Sequence, residues 1–360
     1  MAIHLLAGIL MFLKGTFATL RKVIMVNGKE AFVEEFVLHR IGGEGEPNVF
    51  SDFSAVIKGE EEQQFLRKLF LRPFANMAFT CEFAAKKNTL KELCTKIYDG
   101  DSIVENSDAI AKHLIAVAED GKLTAGDLIV AKFSSVQFAN GEHEAVGIYK
   151  FDDKEVFLES TLKEDAVALR MRRGLGNNKP NKACLVVFTG ETPTLFIIDN
   201  QASTEYWQKD FVRSRPKKDN VNSTSDLMNI TKSFITEQLP QDFVVEKADQ
   251  IDLLNRSVQY FKSHTEFDQE EFTQEVFQEE KAIQSYKQFS DRHQEENDVQ
   301  VQDNFEISAH AVKRQARVFK SVLKLDKNFH IYIHGDRNKI EHGVDENGRK
   351  FYKIFYEQES

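Results

Sequence analysis

Two strand-forming runs either side of a tight turn constrain this chain more than any other feature. Asp127–Phe138 and Ala145–Phe151 are rich in apolar and β-branched residues, and Asn140-Gly141 stands between them. Asn-Gly suits the positive φ angles of a type I′ turn, so a β-hairpin is expected. A second pair, Ala183–Phe188 and Thr194–Ile198, flanks Gly190-Glu191-Thr192-Pro193. Earlier, Ala31–Ile41 reads as a strand, with Phe36 and Leu38 on one face and Val37 and His39 on the other.

Helical spacing separates these strands. Glu60–Phe70 presents Phe65, Leu66, Leu69 and Phe70 on one side and closes near Pro73. Asn88 is placed to cap a helix carrying Leu90, Leu93, Cys94 and Ile97. Ile103–Ala118 shows Ile110, Leu114 and Val117 at helical spacing. Strands among helices give one α+β domain ending near Phe211, a mixed sheet with flanking helices.

The chain of 360 residues is long enough for two such units. Residues 213–225 are almost devoid of apolar side chains and read as a linker or long surface loop. Beyond them, Asp226–Leu239, Ala248–His264, Gln269–Phe289 and Ser308–Leu323 carry helical spacing. Two strand-like runs, Asn328–His334 and Lys350–Tyr356, close the chain, with Glu346-Asn347-Gly348 as a turn before the second. The expected organisation is α+β throughout: an extension at 1–24, an α+β domain at 25–212, a linker at 213–225, and a helix-rich domain with a small terminal sheet at 226–360.

The apolar stretch Ala2–Leu13 is too short to span a bilayer. No basic residue precedes it, so it is a poor signal peptide. Met25 offers an alternative start, making the first 24 residues a start-site artefact or a loose extension. Cys81, Cys94 and Cys184 include no C-x-x-C pair, so neither a zinc site nor a redox pair is signalled. They read as small buried thiols in a reducing compartment. The 30 phenylalanines read as core filling rather than a stacking platform.

The formal charge is −10, which by itself opposes DNA binding. The charge is segregated, however. Arg170–Asn220 holds ten basic against five acidic residues, and Lys313–Lys353 eleven against five. Between them, Glu266–Glu306 holds thirteen acidic against three basic. Two stretches could therefore contact phosphates, and one would repel them.

Enzymatic motifs are missing from the sequence. There is no phosphate loop, no H-E-x-x-H helix and no G-x-S-x-G elbow. Gly174-Leu175-Gly176 begins like a dinucleotide fingerprint, but Lys179 occupies the third glycine position. His330 and His334 share a strand face with His342 nearby, a pattern commoner for satisfied histidines than for metal ligands. Glu279-Glu280-Lys281 sits in a helical, acidic context unlike a Mg²⁺ nuclease site. No enzyme activity, cofactor or metal is expected.

Several landmarks, in order, resemble the bacterial nucleoid-associated protein family of the NdpA/YejK type. They are Val37-Leu38-His39, Gly126–Phe133, Asp199-Asn200-Gln201 with Tyr206, Trp207 and Phe211, Phe319–Asp326, and the His330–His334 strand. The resemblance runs from about Phe32 to Tyr356. It implies a cytoplasmic, DNA-associated protein of the bacterial nucleoid without known catalysis, and no motif of DNA-contacting residues to carry over.

The expectation is therefore binding to double-stranded DNA, largely without sequence specificity, through phosphate contacts. One candidate surface is Arg170, Arg172, Arg173, Arg213, Arg215, Lys217 and Lys218. The other is Lys313, Arg314, Arg317, Lys320 and Lys324, of which Lys313, Arg317, Lys320 and Lys324 would share one face of a continuous helix. Arginine would grip phosphates in bidentate fashion and lysine as a point charge. The alternative is an adaptor whose acidic helices hold a protein of the DNA topology or replication machinery, with DNA contact indirect. A homodimer would add avidity. No membrane partner is expected.

Overall fold

The computed structural model describes residues 26–43, 45–77, 79–85, 87–118, 123–139, 141–163, 166–176, 178–200, 205–297, 299, 301–302, 304–317, 319, 322–332 and 339–358. From the N-terminal end, β1 (Val26–Asn27) and β2 (Phe32–Ile41) precede α1 (Glu60–Phe70), β3 (Cys81–Phe83), α2 (Thr89–Tyr98) and α3 (Ile103–Val117). The expected long hairpin follows as β4 (Gly126–Phe138) and β5 (Gly141–Phe151), in register from Asp127↔Phe151 to Phe138↔Gly141. Asn140 lies outside the described residues. Next come β6 (Glu155–Lys163), β7 (Ala166–Gly174), β8 (Lys182–Val187), β9 (Thr194–Asp199) and β10 (Ser214–Pro216).

Eight of these strands form one sheet in the order β1-β4-β5-β8-β9-β3-β10, with β2 also on β4. Every described pairing is antiparallel, where a mixed sheet was expected. Because strand side chains alternate between faces, the sheet builds two cores. On one face Val37, Leu128, Val130, Ile148, Cys184 and Val186 pack under α2, α3 and Trp207. On the other, Ile129, Phe133, Tyr149, Leu185 and Phe196 pack against Leu66, Leu69 and Phe70 of α1. The Asn88 cap forms as expected, its side chain accepting from the Lys91 amide at 2.9 Å.

Residues 213–225, expected as a linker or long surface loop, hold a short strand and the start of a helix. β10 pairs with β3, and α4 (Asn220–Ser233) starts behind an Asp219 cap. Asn222 is buried and bonds Thr80 twice: its amide donates to the Thr80 carbonyl at 2.8 Å, and its carbonyl accepts from the Thr80 amide at 3.1 Å. Polar residues fill this contact, and their composition resembles a loop only because their partners are distant in sequence.

The helix continues through a π-helical segment, Phe234–Gln238, into α5 (Leu239–Asp242). Then follow α6 (Lys247–Ser263), β11 (Glu266–Asp268), α7 (Gln269–Val276), α8 (Glu280–Asn297), β12 (Asn304–Glu306) and α9 (Ala309–Gln315). The single helix expected at 269–289 is two helices, broken where Gln278 turns to φ 64°. Phe234, Phe261, Phe267, Phe272, Phe277 and Tyr286 fill the core of this half. Four terminal strands form two hairpins, β13 (Val322–Leu325) with β14 (Phe329–Tyr332) and β15 (Ile340–Val344) with β16 (Lys350–Ile354). Among the described residues no helix is long and apolar enough to cross a membrane.

Candidate nucleic-acid interface

The helix expected over Ser308–Leu323 ends at Gln315, and Val322–Leu325 is a strand. Ser308 caps α9, and His310, Ala311 and Val312 bury its inner face. Past residue 315 no breaker residue intervenes. The strand arises because Val322-Leu323-Lys324-Leu325 pairs with β14 and alternates, Leu323 buried and Lys324 exposed, so tertiary pairing outweighs helix propensity. The helical stripe of Lys313, Arg317, Lys320 and Lys324 does not form. Lys313 and Arg314 stand exposed on α9, Arg317 in the turn after it, and Lys324 on β13 opposite His330. Lys320 lies outside the described residues.

What the fold does bring together is Arg314 and Arg317. Partial burial, and then the neighbouring Arg317 charge, lower the pKa of Arg314. Among the described residues no carboxylate pairs with Lys313, Arg314, Arg317 or Lys324. Three other cations of this region are neutralised: Lys339 by Glu357 at 2.7 Å, Arg349 by Asp345 at 2.7 Å, and Lys353 by Glu341 at 3.4 Å. Two adjacent unneutralised guanidiniums repel each other, and an anion between them removes that cost.

The first candidate surface divides. Arg170, Arg172 and Arg173 lie on the β6–β7 ribbon, which leaves the sheet where β5 ends and β8 begins. Arg213, Arg215, Lys217 and Lys218 lie on or beside β10, the edge strand four places from β5 in the sheet order. Arg172 is paired with Glu159 at 2.9 Å, and Arg215 with Glu82 at 2.7 Å. Lys217 donates to the Thr194 hydroxyl at 2.6 Å. Lys218 lines a cleft with Asp291 and Glu295, whose carboxylates would oppose a phosphate there. Arg170, Arg173 and Arg213 are exposed with no ion-pair partner among the described residues.

At the root of the ribbon the sheet end holds a row of ion pairs that the sequence did not announce. Lys150 meets Asp152 at 2.6 Å, both buried. Lys182 meets Asp199 at 2.5 Å, with its ammonium 5.0 Å from the centre of the Tyr206 ring. Buried Asp127 is held by Arg40 at 3.2 Å and Lys154 at 2.9 Å. Burial lowers the Lys150 pKa and Asp152 opposes the shift. These cations are consumed internally.

Among the described residues one group of three side chains has metal-ligating geometry: His264, Glu271 and Glu275, whose ligand atoms lie within 4.8 Å of one another. Glu271 and Glu275 are one turn apart, a sequence signal that the acidic background masked. His264 Nε2 lies 3.8 Å from each, the spacing of a loose ion pair. His330 is exposed and His342 Nδ1 contacts Glu246 at 2.9 Å, while His334 lies outside the described residues.

No curated protein matches the chain. The family model described as nucleoid-associated protein YejK matches residues 37–359, from the second half of β2 to beyond β16. Spanning both halves of the fold, that match shows that the chain belongs to the YejK family of nucleoid-associated proteins.

Proposed function

We propose that this nucleoid-associated protein binds double-stranded DNA directly, largely without sequence specificity, through Lys313, Arg314, Arg317 and Lys324. The observation that carries the reading is their lack of carboxylate partners among the described residues, together with the adjacency of Arg314 and Arg317, while Lys339, Arg349 and Lys353 of the same stretch are paired. On a chain of charge −10, such a patch is where phosphate contact costs least. Arg170, Arg173 and Arg213 are secondary contacts. Arg172, Arg215 and Lys218 are weaker candidates, being paired or placed beside carboxylates. The contacts involve no base edge, so specificity is low.

The test is fluorescence anisotropy of a labelled arbitrary duplex across salt concentrations. Log K falls linearly with log salt, by about 0.9 per neutralised phosphate. Reversing Lys313, Arg314, Arg317 and Lys324 to Glu flattens that slope by about 2 to 4, while Arg215→Glu leaves it nearly unchanged. No binding at low salt would refute direct contact. A nuclease-resistant protein partner held by α7 and α8 would then account for nucleoid association.

A further inference from the structure

Among the described residues the β6–β7 ribbon pairs with nothing but itself and stands as its own two-stranded sheet. Directly opposed residues share a face, so its register sorts the side chains. One face carries Phe157, Glu159, Thr161, Ala168, Arg170 and Arg172. The other carries Val156, Leu158, Leu162, Val167, Leu169 and Met171, interrupted by Ser160 and, at the root, Arg173. Those six apolar side chains are between 51% and 83% exposed.

A lone two-stranded hairpin is marginal in water, and three strands or a packed face are needed for stability. This ribbon nevertheless holds nine consecutive pairs in unbroken register. At roughly 100 Å² for each largely open side chain, its apolar face amounts to about 600 Å². That is the upper end of about 300–600 Å² for the largest patch on an ordinary monomer. It also approaches the roughly 800 Å² that each partner gives to a stable interface.

We propose that this face docks against the same face of a second copy of the chain, ribbon on ribbon about a two-fold axis. A self-complementary patch is what such symmetry requires, and an apolar face meets its own copy without like-charge cost. The ribbon's single cation on that face, Arg173, sits at the root and away from the centre. DNA fits it poorly, because phosphate contact needs cations where this face offers six hydrocarbons. The opposite face, with Arg170 and the Glu159–Arg172 pair, stays in water.

The test is sedimentation velocity of the full chain at micromolar concentration, without DNA. The wild type sediments as a dimer. Leu158→Glu with Met171→Glu, an opposed pair at the middle of the face, sediments as a monomer, with dimer affinity weakened at least about a hundred-fold. Thr161→Glu, on the charged face, remains a dimer. A monomeric wild type, or a dimer that survives the paired substitution, overturns the proposal. A monomeric wild type whose paired variant also loses DNA binding assigns the face to DNA instead. Ser160→Cys carrying a spin label gives a second measurement on an intact ribbon: dipolar coupling between copies is expected, and its absence overturns the dimer.

Discussion

His310 on α9 donates a hydrogen bond from Nε2 to the backbone carbonyl of Met77, 3.0 Å away across 233 residues of chain. A carbonyl only accepts, so the proton sits on Nε2. The bond fixes the helix bearing Lys313 and Arg314 against the turn that follows α1. Ser308 reinforces it, its amide donating to the Thr224 hydroxyl at 3.0 Å.

Replacing His310 by Ala therefore leaves a poorly hydrated carbonyl without its partner. The expected loss is about 1–2 kcal/mol, or a Tm lower by roughly 2–6 °C in thermal denaturation. An unchanged Tm would show that water takes over the bond.

Tyr149 offers the opposite result. It is fully buried against Phe70 and Phe74, and its hydroxyl has no partner among the described residues. Burial first, and then the neighbouring Cys184, raise its pKa well above the ordinary phenol. Tyr149→Phe should stabilise the fold by about 1 kcal/mol, read as a higher denaturant midpoint. Gly147→Ala should do harm, since a Cβ there would lie 2.3 Å from the same hydroxyl.

Lys150 and Asp152 test a buried pair. Removing one partner alone strands a charge, so Asp152→Ala should cost about 3–5 kcal/mol. Replacing both, as Lys150→Met with Asp152→Ala, should cost clearly less. A double-mutant cycle measured by chemical denaturation decides it, and additive losses would deny the coupling.

Asp226 predicts a pH dependence. Burial first, and the Asp219 charge second, raise its pKa to about 6. A carboxyl with a folded pKa above its unfolded one binds more protons when folded, so its contribution to stability falls as pH rises between about 4 and 6. Asp226→Asn should then gain about 1–2 kcal/mol at pH 8, and little at pH 4. Tm measured at both pH values tests this; an equal gain at both would exclude ionisation as the cause.

The elements legible in the sequence are those with local signals. Asn88 caps α2, and continuous apolar, β-branched runs form β4 and β5, because a cap and burial on both sheet faces leave their mark on neighbouring residues. The β6–β7 ribbon left none: Val156, Phe157 and Leu158 are all exposed, so no core-facing period exists. Gln278 and Asp326 take positive φ without being glycine, and each ends an element where no breaker was visible. The two cationic stretches were legible as charge, whereas which of their residues are paired was not. Whether Arg172 or Arg314 is neutralised depends on cross-strand register and on a turn, and neither is encoded nearby in sequence.

β10 is three residues long and ends in a proline, paired to an equally short β3 at the rim of a sheet whose central strands are far longer. Pro216 has no amide hydrogen to offer, and Arg215 places a charge on the same rim. A protein gathered at high local density along a chromosome risks zipping into filaments through any open sheet edge. Here β10 blunts one edge of the large sheet against such pairing.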